Sequence, residues 1–245
     1  MKTYSTNQDL EYKNGMINHL KNTTDKPSIA NNFAKYSRRQ EVTRFIARYE
    51  MFKMIQNVQG VILECGVYSG QGLFSWAQFS SILEPVGGAF RKIYGFDTFE
   101  GFPSIHEKDL VGNHDLDWKP GDLKCNSYDE LLGAINLFDK NRFLPQFEKI
   151  ELYKGDFIAT SEIFLKENPH CLVSLLYLDF DIYEPTRKAL ELFLPRMPKG
   201  AIIAFDEINH PLWPGETMAL LESLDINNYE IKKFPFEINM SYIVL

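Results

Sequence analysis

The chain has 245 residues with 33 Asp and Glu against 26 Lys and Arg, a formal net charge of −7, and that acidic balance argues against nucleic acid and anionic membranes as partners, which call for a basic face. A content of 44% hydrophobic and 24% charged residues belongs to a globular protein and excludes disordered and collagen-like classes. No apolar run approaches the ~20 residues that span a bilayer and the polar first residues lack a signal-peptide core, so a cytoplasmic location is expected, and Cys65, Cys125 and Cys171, widely spaced and without a CxxC pair, are expected as reduced thiols.

Residues 1–32 are rich in Asn, Lys and Thr with little apolar periodicity, and a loosely ordered arm is expected there. Over 33–58, Phe45, Ile46, Tyr49, Phe52 and Ile55 recur at three- and four-residue intervals, which predicts an amphipathic leading helix. This helix packs either on its own sheet or on a second subunit, which leaves a homo-oligomer open. The run 61–65 is apolar and ends at Gly66, and the next periodic stretch (Leu73, Phe74, Trp76, Ala77, Phe79, Ile82, Leu83) is helical, giving strand, glycine turn and helix. The alternation continues with strands at 92–96, 149–154, 172–178 and 201–205 and helices at 128–139, 161–166, 185–194 and 216–224. Repeated βα units predict a parallel sheet with helices on both faces. The last two apolar runs, 229–234 and 239–245, lie too close together for a parallel crossover and predict an antiparallel hairpin.

The expected fold is therefore α/β, a Rossmann-like, doubly wound seven-stranded sheet of five parallel βα units with a C-terminal antiparallel hairpin, in a single domain over 33–245. This order resembles that of class I S-adenosylmethionine-dependent methyltransferases, whereas a dinucleotide-binding domain would typically continue with a further parallel unit. The segment 102–127 is too long for a simple βα loop and is expected to close over a substrate as a lid, with Trp118 offering a ring for stacking on a sugar or nucleotide; a surface loop without a role is the alternative. His106 and His114 lie in it without a third ligand nearby and are not read as a metal pair.

Three constellations carry chemistry. The first is the turn Glu64-Cys-Gly66-Val-Tyr-Ser69-Gly70-Gln-Gly72, which differs in spacing from the GxGxxG turn that receives a pyrophosphate. A carboxylate just before the turn would repel a phosphate but suits S-adenosylmethionine, which carries an ammonium and a sulfonium. Glu64, Gly66, Ser69 and Gly70 are expected to hold that donor. The second is Asp97, followed by Thr98, after the second strand, where a carboxylate can accept bonds from both ribose hydroxyls of an adenosine. Asp156, after the third strand, either accepts from an adenine amino group or caps the next helix. The third is Asp179 and Asp181 after the fourth strand with Asp206 and Glu207 after the fifth. Neighbouring strands bring these carboxylates together, and a hard cation, most simply Mg²⁺, would relieve their repulsion and acidify a substrate hydroxyl. For Asp181, capping the following helix is the equal alternative. His210, three residues after Glu207, is an alternative base, a substrate contact or an ordinary loop histidine.

The blocks Glu64-Cys-Gly66…Gly70, Tyr94-Gly-Phe-Asp-Thr-Phe-Glu-Gly-Phe-Pro103, Leu178-Asp-Phe-Asp-Ile-Tyr-Glu-Pro-Thr186 and Phe205-Asp-Glu207 together resemble the macrocin O-methyltransferase family, as do Arg38-Arg39-Gln40, Arg48-Tyr-Glu50 and Trp213-Pro-Gly-Glu216. The resemblance implies transfer of a methyl group from S-adenosylmethionine to a sugar hydroxyl, on a nucleotide-linked sugar or a finished glycoside. It implies Asp179 as general base and metal ligand and Asp206 as a second ligand, with Glu207 where many members have a second aspartate. Trp118, Asp181 and Tyr183 are assigned to the substrate side. Arg38 and Arg39 are candidates for gripping a base or phosphate, although a solvated basic face explains them as well. A non-sugar hydroxyl acceptor, a nicotinamide-dependent oxidoreductase and a non-catalytic binding protein are the competing readings.

Overall fold

Seven strands form one sheet in the computed structural model, which describes residues 6–112 and 117–245. They are β1 (Val61–Cys65), β2 (Ile93–Asp97), β3 (Ile150–Lys154), β4 (Val173–Leu178), β5 (Ile202–Phe205), β6 (Lys232–Lys233) and β7 (Ser241–Val244), in the spatial order β3-β2-β1-β4-β5-β7-β6. The first five are parallel; β7 runs antiparallel to both β5 and β6. The terminal hairpin is therefore present, but β6 keeps only two of the residues expected to pair. A turn at Ile226–Asn228, capped by Asp225, and Pro235, which has no N–H to give a ladder, bound it on either side.

The chain divides into two compact units, Met1–Ile46 and Ala47–Leu245. In the first, residues expected as a loosely ordered arm are helical: α1 (Asn7–Asn22), α2 (Lys26–Asn31) and α3 (Phe33–Tyr36). Asp25 caps α2 by accepting the Ser28 N–H at 3.2 Å, and the His19 and Tyr36 rings stack with centroids 5.5 Å apart. Helices that are exposed on nearly every side carry no apolar stripe, so periodicity does not reveal them. The leading helix is α4 (Arg39–Ile55), shorter at both ends than 33–58.

In the second unit, helices α5 (Gln71–Leu83), α6 (Tyr128–Asp139), α7 (Phe157–Glu167), α8 (Tyr183–Phe193) and α9 (Pro214–Ser223) alternate with the strands. α7 begins four residues before the expected start because Asp156 accepts the Ile158 N–H at 3.0 Å and caps it there. Alternate strand residues point to opposite faces. Leu63, Cys65, Phe96, Leu176, Leu178 and Phe205 enter a buried cluster with Phe157, Phe164, Leu190 and Phe193 from α7 and α8. On the opposite face, Tyr177 meets Trp76 of α5 edge-on at 5.6 Å, and Tyr49 and Phe52 of α4 pack on Phe79.

Within the segment 102–127, His114 lies outside the described residues, while much of the remainder is docked. Buried Asp109 accepts the Tyr183 N–H at 2.6 Å and the His106 N–H at 2.8 Å, and Lys108 pairs with Glu222 of α9 at 2.6 Å.

Candidate active site

The parallel strands all end on one edge, where the loops that follow them converge. Gly66, at the end of β1, has φ +94°, and a Cβ there would lie 1.9 Å from the carbonyl oxygen of Asp179. Only glycine lets the two strand ends close together in this way. The Asp179 N–H, donating to Cys65 O at 2.7 Å, ties them, and the Gly66 N–H, donating to Phe96 O at 2.9 Å, ties the end of β1 to β2. The turn closes through Gly70 N–H to Val67 O at 2.8 Å, and Ser69 is exposed on it.

Glu64 is buried beneath this turn. Its carboxylate accepts the Trp76 indole N–H, and a Cβ on Gly72 would strike Glu64 Oε1 at 1.8 Å. Glu64 thus anchors the first turns of α5 to β1. Asp97 is also engaged by the turn. Its Oδ2 accepts the N–H groups of Val67 (2.8 Å) and Tyr68 (2.7 Å), and its Oδ1 accepts that of Phe99 (2.6 Å). Amides that could otherwise cradle a phosphate are occupied by a carboxylate, so a pyrophosphate at this turn would meet a like charge. Thr98 closes its own loop by donating to Gly101 O at 2.6 Å. Of the two roles open to Asp156, the structure realises the helix cap.

At the ends of β4 and β5 stand Asp179, Asp181, Asp206 and Glu207. Asp181 takes a left-handed backbone, φ +64°. Asp206 is buried and accepts the Tyr177 O–H at 2.6 Å; Tyr177 in turn accepts from Arg48 at 3.2 Å, and the Arg48 guanidinium lies over its ring, 5.1 Å from the centroid. A buried arginine, a tyrosine and an aspartate thus form a directional chain beneath the site. Glu207 Oε1 accepts from Asn239 at 3.1 Å, and the Glu207 N–H donates to Glu216 Oε2, also at 3.1 Å.

Glu216, at the start of α9, was legible in the sequence only as part of the Trp213-Pro-Gly-Glu216 block, with no role attached. It is fully buried, and burial, followed by the charges of Asp181 and Asp206, pushes its carboxyl well above the usual range. The acidic cluster is therefore Asp181, Asp206, Glu207 and Glu216, with Asp179 alongside on β4's end. His210 Nδ1 accepts the Leu212 N–H at 3.3 Å and lies 3.6 Å from Glu207 Oε2; burial lowers its pKa, opposed by the charge of Asp206.

The expected trio Asp179, Asp206 and Glu207 is not gathered around a point. Among the described residues no three His, Cys, Asp or Glu side chains are placed to hold a metal ion together. Trp118 is stacked on Trp213, 4.2 Å between centroids and 16° between planes, with its indole N–H on Leu212 O at 3.1 Å, so one of its faces is already covered. Tyr183 is buried and turned to α9, its O–H donating to Glu222 at 2.7 Å, which makes it part of the scaffold. Arg38 and Arg39 lie in the first unit, where Arg38 pairs with Glu41.

The family model of macrocin O-methyltransferases (TylF) matches residues 1–215. The chain belongs to the macrocin O-methyltransferase family. Its fold is that of class I S-adenosylmethionine-dependent methyltransferases: it superposes on the crystal structure of CalS11, a calicheamicin methyltransferase, with a TM-score of 0.91 at 29% identity, covering 99% of this chain and 94% of that one. The apo structure of CalS11, described as a TDP-rhamnose 3'-O-methyltransferase, gives 0.84 at 27% identity over 99% and 96% of the two chains. A curated relative from Streptomyces olivaceus, 8-demethyl-8-(2,3-dimethoxy-alpha-L-rhamnosyl)-tetracenomycin-C 4'-O-methyltransferase, is 26% identical over 161 residues, 63% of this chain and 55% of that protein. The chain thus spans little more than half the length of that relative. Within the family frame, the turn at Gly66 and the cluster at Asp206 fall on the strand ends where open α/β sheets bind ligands. No described helix is long and apolar enough to cross a membrane.

Proposed function

We propose that the protein is an S-adenosylmethionine-dependent O-methyltransferase whose acceptor is a sugar hydroxyl, with a nucleotide-linked sugar as the favoured substrate. The observation that carries this reading is the contact of Gly66 with Asp179. It sets the turn that would hold the donor against the backbone of Asp179, the residue whose carboxylate would take the acceptor's proton. The Asp97 carboxylate across the turn amides supports a donor without phosphate over a dinucleotide. The relatives supply the acceptor class, being named for a rhamnosyl group and for TDP-rhamnose.

S-adenosylmethionine supplies an activated methyl group: the acceptor oxygen forms a bond to the methyl carbon as the carbon–sulfur bond breaks, leaving S-adenosylhomocysteine. The residues of this chain align and deprotonate. Gly66 and Gly70 shape the turn, while Glu64 and Asp97 hold it in place and contribute negative charge that suits a cationic donor. Asp179 accepts the hydroxyl proton as the oxygen attacks, because an alcohol is a poor nucleophile until that proton leaves. His210, 3.6 Å from Glu207, is the alternative acceptor. Asp206 is held in one orientation by Tyr177 and Arg48.

Magnesium is the finer part of the reading. Hard carboxylate oxygens suit it, but their placement does not bring three together, so the proton step is assigned to side chains alone. Turnover that vanishes on exhaustive EDTA treatment and returns with Mg²⁺ would mean that the carboxylates regroup around a cation in the loaded enzyme. The decisive experiment on the base is Asp179→Asn. Its turnover should fall by at least about a hundredfold, the lower end of what a general base contributes, while donor affinity by calorimetry stays near wild type. Retained turnover would move the base to His210.

A further inference from the structure

Three consecutive residues at the start of α9 tie that helix to its surroundings. A Cβ on Gly215 would lie 2.1 Å from Asp109 Oδ1 and 2.6 Å from the Tyr183 nitrogen, so the helix rests directly against Asp109 and the start of α8. Glu216 Oε2 accepts the Glu207 N–H at 3.1 Å, and Thr217 Oγ1 accepts the Asn209 N–H at 2.8 Å. These last two bonds grip alternate amides of the loop that follows β5, the loop that carries Asp206, Glu207 and His210. Asn209 has φ +61°, a conformation that a non-glycine residue keeps only where its surroundings enforce it, and Thr217 supplies that enforcement. The His210 N–H donates to Glu207 O at 3.2 Å and the Trp213 N–H to His210 O at 3.1 Å, so a shift at 207 or 209 is passed on to His210.

The helix does not need these side chains for itself. An acidic residue in a first helical turn ordinarily serves the free amides of its own helix. Glu216 instead turns to the neighbouring loop, and its Oε1 is buried without a hydrogen-bond partner among the described residues. The side chain is fully buried beside Asp181, Asp206 and Glu207, whose like charges act on it. Such a placement costs stability, so a purely structural role would be better filled by an uncharged side chain.

We propose that Glu216 and Thr217 are positioning residues for the methyl transfer: by gripping the Glu207 and Asn209 amides they keep Asp206, Glu207 and His210 in fixed places on the acceptor side of the sheet edge. The inference rests on the reading of Asp179 and its neighbours as the acceptor site. An attacking oxygen must lie in line with the methyl carbon and the sulfur, so a small displacement of this loop lowers kcat, while donor binding, which belongs to the turn at Gly66, is spared.

The test compares wild type with Glu216→Leu, Glu216→Gln, Thr217→Val and, as a control, Leu221→Ala, a half-exposed position elsewhere on α9. The acceptor is whichever of a panel of nucleotide-linked sugars the wild type methylates fastest. Glu216→Leu removes the acceptor of the Glu207 N–H and should lower kcat by about tenfold or more, the scale of one hydrogen bond's net contribution. Glu216→Gln keeps an oxygen for that N–H and should stay within about twofold of wild type. Thr217→Val keeps the side chain's shape at a half-buried position, so folding is not at stake, and should lower kcat by about threefold or more. Donor affinity by calorimetry should be unchanged in all four variants. Hydrogen exchange at the Glu207 amide in Glu216→Leu, and at the Asn209 amide in Thr217→Val, should be faster by about tenfold or more. Wild-type kcat in both Glu216→Leu and Thr217→Val, a Glu216→Gln that falls as far as Glu216→Leu, a matching loss of donor affinity, or unchanged exchange each overturns the positioning role. A wild type that binds the donor and methylates no sugar of the panel overturns the proposed function instead, and the exchange rates then still decide whether α9 holds the loop.

Discussion

Tyr68, Phe99, Asp181 and Asn209 have φ values of +51°, +56°, +64° and +61°, and they follow β1, β2, β4 and β5 in turn. Non-glycine residues in this conformation carry strain that persists only where surroundings enforce it, and these four of the six among the described residues lie at the sheet edge of the proposed site, Leu123 and Leu144 being the others. At Tyr68 the enforcement is visible: its N–H is held by Asp97 and its carbonyl by Ser127. Gly66 is the position where relief is impossible. Gly66→Ala adds a left-handed β-carbon and a clash with the Asp179 carbonyl, and should cost roughly 2–4 kcal/mol, read as a lower urea midpoint with loss of donor binding. An unchanged midpoint would mean that β1 and β4 separate more easily at their ends than the contact implies. The individual roles of carboxylates were the least legible part of the site. The sequence places Glu64, Asp97 and Asp156 at strand ends, but whether each faces a ligand, a backbone amide or a helix start depends on side-chain direction. One of them, Asp156, was caught by the alternative of capping.

Elements were legible where their apolar pattern is one-sided. Strands β1 to β5 and helices α5 to α9 all present an apolar face to the sheet or from it, and their order follows from that. The helices of the first unit have no such face and β6 is only two residues long, so period carries little information there. The opposite edge of the sheet offers an independent check on the packing of elements. Lys149, just before β3, is buried and donates to Ser80 Oγ at 2.6 Å, to Arg91 O at 2.7 Å and to Gly88 O, joining the end of α5 to the turn that leads into β2. Burial pushes its pKa down from 10.5 to about 8. A lysine with a lowered folded pKa binds fewer protons folded than unfolded between those values, so its contribution to stability rises as pH goes from about 8 to 10.5. Lys149→Met should lose about 1–3 kcal/mol at pH 7 from the acceptors left without a donor. The gap between wild type and variant, measured by urea unfolding, should widen over that pH window. A gap that stays constant with pH would mean that Lys149 titrates alike in both states.

At the scale of the molecule, part of the acidic excess behind the net charge of −7 is gathered at one place. Asp181, Asp206, Glu207 and Glu216 stand close enough at one edge for their charges to act on Glu216, and Arg48 beneath them supplies a buried positive charge through Tyr177. Sequence alone determined the chain order of β1 to β5 and of the helices between and after them, the reversal at the C-terminus, the glycine turn and the family, because periodicity, turn residues and motif spacing are local in the chain. Tertiary structure alone decided that β7 lies between β5 and β6, that Asp97 clamps the turn, that Trp118 stacks on Trp213 and that Glu216 joins the acidic cluster. Each of those outcomes depends on groups distant in the chain meeting at one point, where burial and hydrogen-bond saturation select among partners that the sequence leaves equivalent.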